Sequence, residues 1–283
     1  MNYNEINLDL QSTVKRIYQN IVYKSAFYNM LNDSYIGEVR NAGTPMIEVL
    51  KSQDVTINTR QTKEIATALT PSLMGYDSVK VDLAELAMDY SIRIPTLVAG
   101  SGIANALDSA LEKKDSAVAK AIDTYGFGKL EDDATLTEKA WNPTTQQEYI
   151  DTLTGLSADM FNNDVYDNYR LALSATEYGK YVAALTSVLK YETMAGVEGV
   201  DRGIIARAYG VDAFQVNDTV LGDVKGYFFN PKAIVGDAFF DAFVQHVSPQ
   251  GWPGYFIFEG NILFGAKVVE KKAIFRLVDE VSA

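Results

Sequence analysis

Hydrophobic and polar positions divide the chain into segments of different period. Near the N-terminus Val14, Ile17, Tyr18 and Ile21 recur at three- and four-residue steps, which predicts a short amphipathic helix. Around it Tyr and Asn are frequent and the pattern is weak. Two readings stay open: an arm that lies on another surface, or an ordinary helix docked on its own domain. From Thr44 to Leu83 the character changes. "TPMIEVLKSQDVTI" and "SVKVDLAELAMDYSIRI" are strand-like, and in the second Met88, Tyr90, Ile92 and Ile94 alternate with Asp89, Ser91 and Arg93. The polar stretch "NTRQTKEIATALTPSLMGYD" between them is too long for a tight hairpin. It predicts a two-stranded excursion that has too little apolar density to stand alone and must lean on another surface.

"SGIANALDSALEKKDSAVAKAIDTYGF" carries a helical stripe of Leu107, Leu111, Val118, Ile122 and Tyr125, with Glu112, Lys113, Lys114 and Asp115 on the charged face. Gly126 and Gly128 are expected to end this helix, the longest of the chain. "NPTTQQEYIDTLTGLSADMF" offers a Thr144–Gln147 capping box and a stripe of Tyr149 or Ile150, Leu153, Leu156 and Met160. A strand with Tyr169, Leu171 and Leu173 on one face follows. A second box, Ser174–Glu177, opens a helix striped by Tyr181 or Val182, Leu185 and Val188 or Leu189. "RGIIARAYGVDAFQVNDTV" reads as a strand, a glycine kink and a second strand that feeds a polar turn. In the tail, Phe239, Phe240, Phe243 and Val247 predict one short helix among strands near Phe256–Phe258, Lys267–Val269 and Ala273–Val278. Those last strands must pair with strands from far earlier in the chain. Helices and strands alternate in the middle of the chain and strands dominate its end, which makes the fold class α+β.

Composition narrows what such a chain can do. Hydrophobic residues at 47% and charged residues at 22% are those of a folded globular protein. The net charge of −12 disfavours a protein that wraps or reads DNA directly, because such a surface repels phosphates. Cysteine is absent, which removes disulfides, thiolate metal sites and a cysteine nucleophile, and the single histidine, His246, rules out multi-histidine metal sites. The acids and amides of "MNYNEINLDLQS" do not form a secretory signal, and no window of about 18 apolar residues suggests a membrane span.

Motifs for chemistry are weak. "TYGFGKL" lacks the spacing and the hydroxyl of a phosphate loop, with Leu130 where the hydroxyl would stand, and reads better as a glycine helix terminus. The run Glu131, Asp132, Asp133 is either a solvated loop or a divalent-cation site, and the loop is the commoner use of such a run. His246 has no activating partner nearby in sequence and reads as a packing or surface residue. Trp252, between Gly251 and Pro253, reads as a turn anchor. No catalytic, cofactor-binding or metal-ligating residue is assigned, no cofactor is expected, and the chain is not read as an enzyme.

The order of elements then becomes informative. "YDNYRLALSATEYGKYVAAL", "GIIARAYGVDAFQVNDTV", "GYFFNPKAIV" and "NILFGAKVVEKKAIFRLV", together with the excursion and the long helix before them, resemble the major capsid protein of tailed bacteriophages. The likeness spans nearly the whole chain, although its motifs are loose and rest on their order. The resemblance implies an N-terminal arm (residues 1–43), an extended loop (44–82), a peripheral domain with a long spine helix (83–133 and 236–283) and a mixed α/β axial domain (134–235). It implies self-association into hexamers and pentamers of an icosahedral shell around double-stranded DNA, packaged without sequence-specific contact. The shell would assemble in the host cytoplasm, with scaffolding, portal and possible decoration proteins as partners and no membrane. Whether the scaffold is separate or cleaved stays open. Some members of the family cross-link a loop lysine to an asparagine. Lys51 and Lys63 lie in the loop, no partner is identified, and no cross-link is expected. An encapsulin-type compartment shell around cargo enzymes shares the fold and is the alternative.

Overall fold

The computed structural model describes residues 10–31, 39–40, 46–52, 76–95, 103–166, 168–185, 206–208, 210–247 and 255–280. In chain order they form α1 (Leu10–Lys24), β1 (Val39–Arg40), β2 (Met46–Ser52), β3 (Tyr76–Asp82), β4 (Leu86–Pro95), α2 (Ile103–Asp132), β5 (Thr137–Ala140), α3 (Gln146–Asn162), β6 (Arg170–Ser174) and α4 (Ala175–Leu185). Then follow β7 (Ala206–Ala208), β8 (Val211–Val216), a one-turn helix at Asp218–Leu221, β9 (Gly226–Phe229), β10 (Ile234–Val247), β11 (Tyr255–Val268) and β12 (Ile274–Val278). Three sheets result, with strand orders β1-β2-β3, β10-β11-β4 and β5-β12-β9-β6-β8-β7. The fold is α+β.

The second strand-like run of the sequence splits in two. β3 stays with β2, whereas β4 crosses to the sheet of β10 and β11. The break is a single 3-10 turn, Leu83–Glu85, held by the Asp82 side chain, which accepts from the Ala84 amide. Along β4 the expected alternation holds: Tyr90 and Ile92 are buried while Asp89, Ser91 and Arg93 are exposed.

α2 is the longest helix described, at 30 residues, and it runs straight through the glycines expected to end it. Gly126 is there for space. A Cβ at that position would fall inside the Phe27 ring, which packs on the helix backbone. The expected charged face also needs correction, because Asp115 is fully buried. The side of α2 that carries it is covered by α1 and the turn after it. Ile17, Ile21, Phe27 and Met30 of that segment belong to the main core, so residues 10–31 dock on their own chain.

The tail departs most from expectation. Phe239, Phe240, Phe243 and Val247 lie on a strand, not a helix. β10 pairs with β11 from Ile234↔Val268 to Val247↔Phe256, and the register shifts between Asp241 and Val244. Between those pairs two residues of β10 stand opposite one of β11, Gly260, which is a one-residue bulge that reverses the alternation. This phase change produced spacings that mimic a helix. The strands expected near Phe256–Phe258 and Lys267–Val269 are one continuous strand, β11, whose other edge pairs with β4.

The six-stranded sheet gathers the middle of the chain and its end. β12 pairs in parallel with β5 and antiparallel with β9, so the final strand lies inside the sheet of the 134–235 lobe. β6 is central, and Leu171, Ala172 and Leu173 are all buried, on both faces rather than one. α3 starts one residue later than expected: its capping box is Thr145–Glu148, and Tyr149, Leu153, Leu156 and Met160 form its buried stripe. Ser174 accepts from the Glu177 amide at the start of α4, whose buried side is Tyr178, Tyr181 and Leu185. Val188 and Leu189 lie outside the described residues. β7 and β8 are antiparallel across Gly210, whose φ of 79° is the expected kink. Asn217 then caps the one-turn helix through the Thr219 amide.

Candidate self-association surfaces

The positions weighed for chemistry become structural ones. Asp133 accepts from the Thr135 amide and hydroxyl and pairs with Lys271 at 2.9 Å. The Thr135 hydroxyl, then Lys271, hold its carboxyl below the usual range. The carbonyls of Leu130, Glu131 and Asp133 accept from Arg276 Nη2 of β12 at 2.6, 2.6 and 3.0 Å. The acidic run is therefore the C-terminal end of α2, tied down by an arginine from the neighbouring sheet. His246 falls on β10, Lys51 on β2, and Trp252 and Lys63 lie outside the described residues. Among the described residues no group of three or more His, Asp or Glu side chains could hold a metal.

A cleft of about 250 Å³ opens between the end of α2 and the ends of β10 and β11, over Phe27, Leu130 and Ile234. Lys129, Lys267 and Lys271 stand around it. Lys129 is engaged by Glu85, to which Tyr125 also donates, and Lys271 by Asp133. Asp133, paired with Lys271, also lines it, so the space has an apolar floor and a rim of three lysines and one carboxylate.

The seam between residues 10–31 and the rest of the chain is unusually polar. Asp115 accepts from Asn20 at 2.8 Å and from the Tyr90 hydroxyl at 2.6 Å. Asp123 accepts on Oδ1 from the Ser25 hydroxyl at 2.6 Å and the Phe27 amide at 2.9 Å. Asp237 of β10 accepts from the Tyr28 hydroxyl at 2.5 Å. Burial raises both α2 carboxyls against the opposing hydrogen bonds, and that of Asp123 is pushed up to about 6. At the rim Arg16 pairs with Asp108 at 2.9 Å.

The paired strands β2 and β3 stand on a small cluster of their own: Ile47, Val49, Val81, Leu83 and Val235, with Val269 beside them. Their seven-pair ladder belongs to a sheet separate from the other two and ends at Ser52↔Tyr76. A two-stranded ribbon of this kind is marginal alone, and here it leans on the first residues of β10 as the sequence required. At the end of α3, Phe161 and Tyr166 are 59% and 52% exposed and pack edge to face at 4.9 Å. Between them Asp164 adopts a φ of 61° and accepts from the Tyr166 hydroxyl at 3.1 Å. A held aromatic pair in water is a typical interface anchor. Sequence reasoning missed it because Phe161 was read as the tail of a helix, and only the unfavourable turn after it carried a signal.

A docked helix, a two-stranded ribbon, a 30-residue helix and a mixed sheet lobe make up a fold that solved structures share. The chain has the capsid fold of tailed bacteriophages. Solved structures similar to it include the head of Helicobacter pylori bacteriophage KHP40, with a TM-score of 0.57 at 11% identity over 90% of each chain. The capsid of cyanophage P-SCSP1u gives 0.56 at 13% identity over 89% of this chain and 91% of that one. A virus-like particle from Pyrococcus furiosus gives 0.52 at 8% identity over 93% and 98%. No family model matches the sequence, and no curated protein sequence matches it.

Proposed function

We propose that this chain is the major capsid protein of a tailed bacteriophage, a structural protein rather than an enzyme. Its product would be an icosahedral shell of hexamers and pentamers that encloses double-stranded DNA without sequence-specific contact. The observation that carries the reading is the likeness to phage head and capsid structures over about 90% of both chains. Whole-length agreement matters because a shell subunit uses all of its elements, arm, loop and both lobes, to meet neighbours. The β2–β3 ribbon, paired in a sheet of its own, and the exposed Phe161–Tyr166 pair support it, and the pair is apolar surface that would gain burial against another molecule. In this reading residues 1–43 are the arm, 44–82 the extended loop, 83–133 with 236–283 the peripheral domain, and 134–235 the axial domain, to whose sheet β12 is added. Partners are other copies of the chain, with scaffolding, portal and decoration proteins, and the location is the virion.

The test is direct. Purified full-length protein, alone and with its scaffold, is followed by size-exclusion chromatography and negative-stain microscopy. Capsomers or closed particles are the expected result. Discrete monomers under every condition of salt, pH and concentration would overturn the reading.

A further inference from the structure

We propose that residues 25–31 form a proton-coupled latch on α2, whose closure draws a proton onto the Asp123 carboxylate. The argument starts from what surrounds that side chain. Asp123 is buried, and it is buried by the segment itself: Ser25 and Phe27 donate to Oδ1 from one side while the Phe27 ring seals the helix beside it at Gly126. The Ser25 hydroxyl is committed twice, since it also accepts from the Tyr28 amide at 3.0 Å. All of these donors are neutral. A carboxylate enclosed with neutral donors and no cation is costly to keep charged.

The charged groups on the elements packed around Asp123 are engaged elsewhere. Lys24, at the end of α1, reaches Ser116 at 2.9 Å and Glu112. Arg170 of β6 donates to the Asn29 carbonyl at 2.6 Å. Lys129, further along α2, binds Glu85. On β10, Asp237 takes the Tyr28 hydroxyl. Lys120, one turn back on α2, is exposed. Asp115 differs, because Lys24 and Arg16 both act on it. Asp123 is the member of the seam that meets hydrogen bonds and no positive charge.

With the segment lifted, Asp123 faces water and titrates as an ordinary aspartate near 4. With it closed, burial raises the carboxyl to about 6. The closed form therefore holds more protons across that window, and closure tightens as pH falls from neutrality and relaxes as pH rises through 6. The Ala26 amide, a third neutral donor, also acts on this carboxylate. Opening uncovers Phe27, Met30 and Leu31, which are buried in the closed form. The latch is a property of the single subunit and does not depend on the shell reading.

Amide hydrogen exchange on the full chain, corrected for intrinsic exchange, tests it at Phe27, Met30 and Leu31, whose amides bond to Asp123, Phe27 and Tyr28. The expected opening constant is roughly 30-fold larger at about pH 7.5 than at about pH 4.5, as a two-unit displacement requires. Asp123→Asn, which can accept the same bonds without titrating, should flatten that response. Equal opening at both pH values in the wild type, or an unchanged pH response in the variant, would overturn the proposal. Should the variant fold poorly, a carboxyl-carbon NMR titration of wild-type Asp123 decides: a midpoint near 6 supports the latch, and an ordinary midpoint near 4 sinks it.

Discussion

At the scale of single residues, the buried charges set the tolerances of this protein. Arg276 is nearly buried on β12, and its guanidinium serves three carbonyls at the end of α2 while pairing with Glu138 at 3.5 Å. The Asp133 carbonyl also accepts from the Leu136 amide, but those of Leu130 and Glu131 lie in the last turn of the helix, so removing the arginine takes their donor away. Arg276→Met, which keeps the apolar stem, should therefore cost about 3 kcal/mol, read as a lower midpoint in denaturant unfolding. Asp133 works in the opposite pH sense to Asp123. Its carboxyl is depressed in the folded chain by Thr135 and Lys271, so its contribution is present above the ordinary aspartate range and fades as pH falls through it. In thermal unfolding, Asp133→Asn should lower Tm at neutral pH, and the difference from wild type should shrink below about pH 4. None of these roles was legible in sequence. Arg276 sits in an apolar run, "AIFRLV", and Asp115 in a charged run, "EKKD", and in each case the neighbours misled. Burial of a charge is decided by which distant element covers it, and local pattern does not contain that information.

At the scale of elements, α2 is where local propensity and tertiary demand collide. Alanine at position 126 would gain about 1 kcal/mol of helix propensity. Its Cβ would also displace the Phe27 ring, which stacks edge to face on Phe127 at 5.3 Å. The loss should win: Gly126→Ala is expected to destabilise the chain by about 1–3 kcal/mol, the usual cost of overpacking. Phe27→Leu, harmful alone, should recover part of that loss in the double variant, and a double-mutant cycle with no coupling would refute the contact. The β2–β3 ribbon makes a second element-scale prediction. Its supporting cluster ends at Val49 on one strand and begins at Val81 on the other. Removing residues 52–77 spares that cluster, so the subunit should keep its circular dichroism spectrum and melt within a few degrees of wild type. Without the loop it should fail to form closed particles, and normal particles would show that the loop is dispensable for assembly. Elements with one clean period were readable in advance, as in β4 and α3. The β10 strand was not, because a bulge reversed its phase and left a helical spacing in the sequence.

At the scale of the whole molecule, the surface left over after folding is what the proposed function uses. Phe161 and Tyr166 touch little of their own chain, so Phe161→Ser with Tyr166→Ser should leave the monomer Tm within about 2 °C, as exposed substitutions do. The same double variant should lower the yield of assembled particles in sedimentation, and an unchanged yield would remove this pair from the interface. The amino-acid sequence alone determined the α+β class, the order of N-terminal helix, paired strands, long helix, mixed helix–strand segment and returning strands, and the absence of cysteine and of all but one histidine. These follow from period, capping residues and composition, which act over a few residues at a time. Only the tertiary structure decided that residues 10–31 fold back on α2, that β12 joins the sheet of a lobe that ends well before it in the chain, and that Asp123 is sealed without a cation. Those outcomes depend on surfaces far apart in the chain competing for the same core, where burial energy summed over many side chains outweighs any local preference.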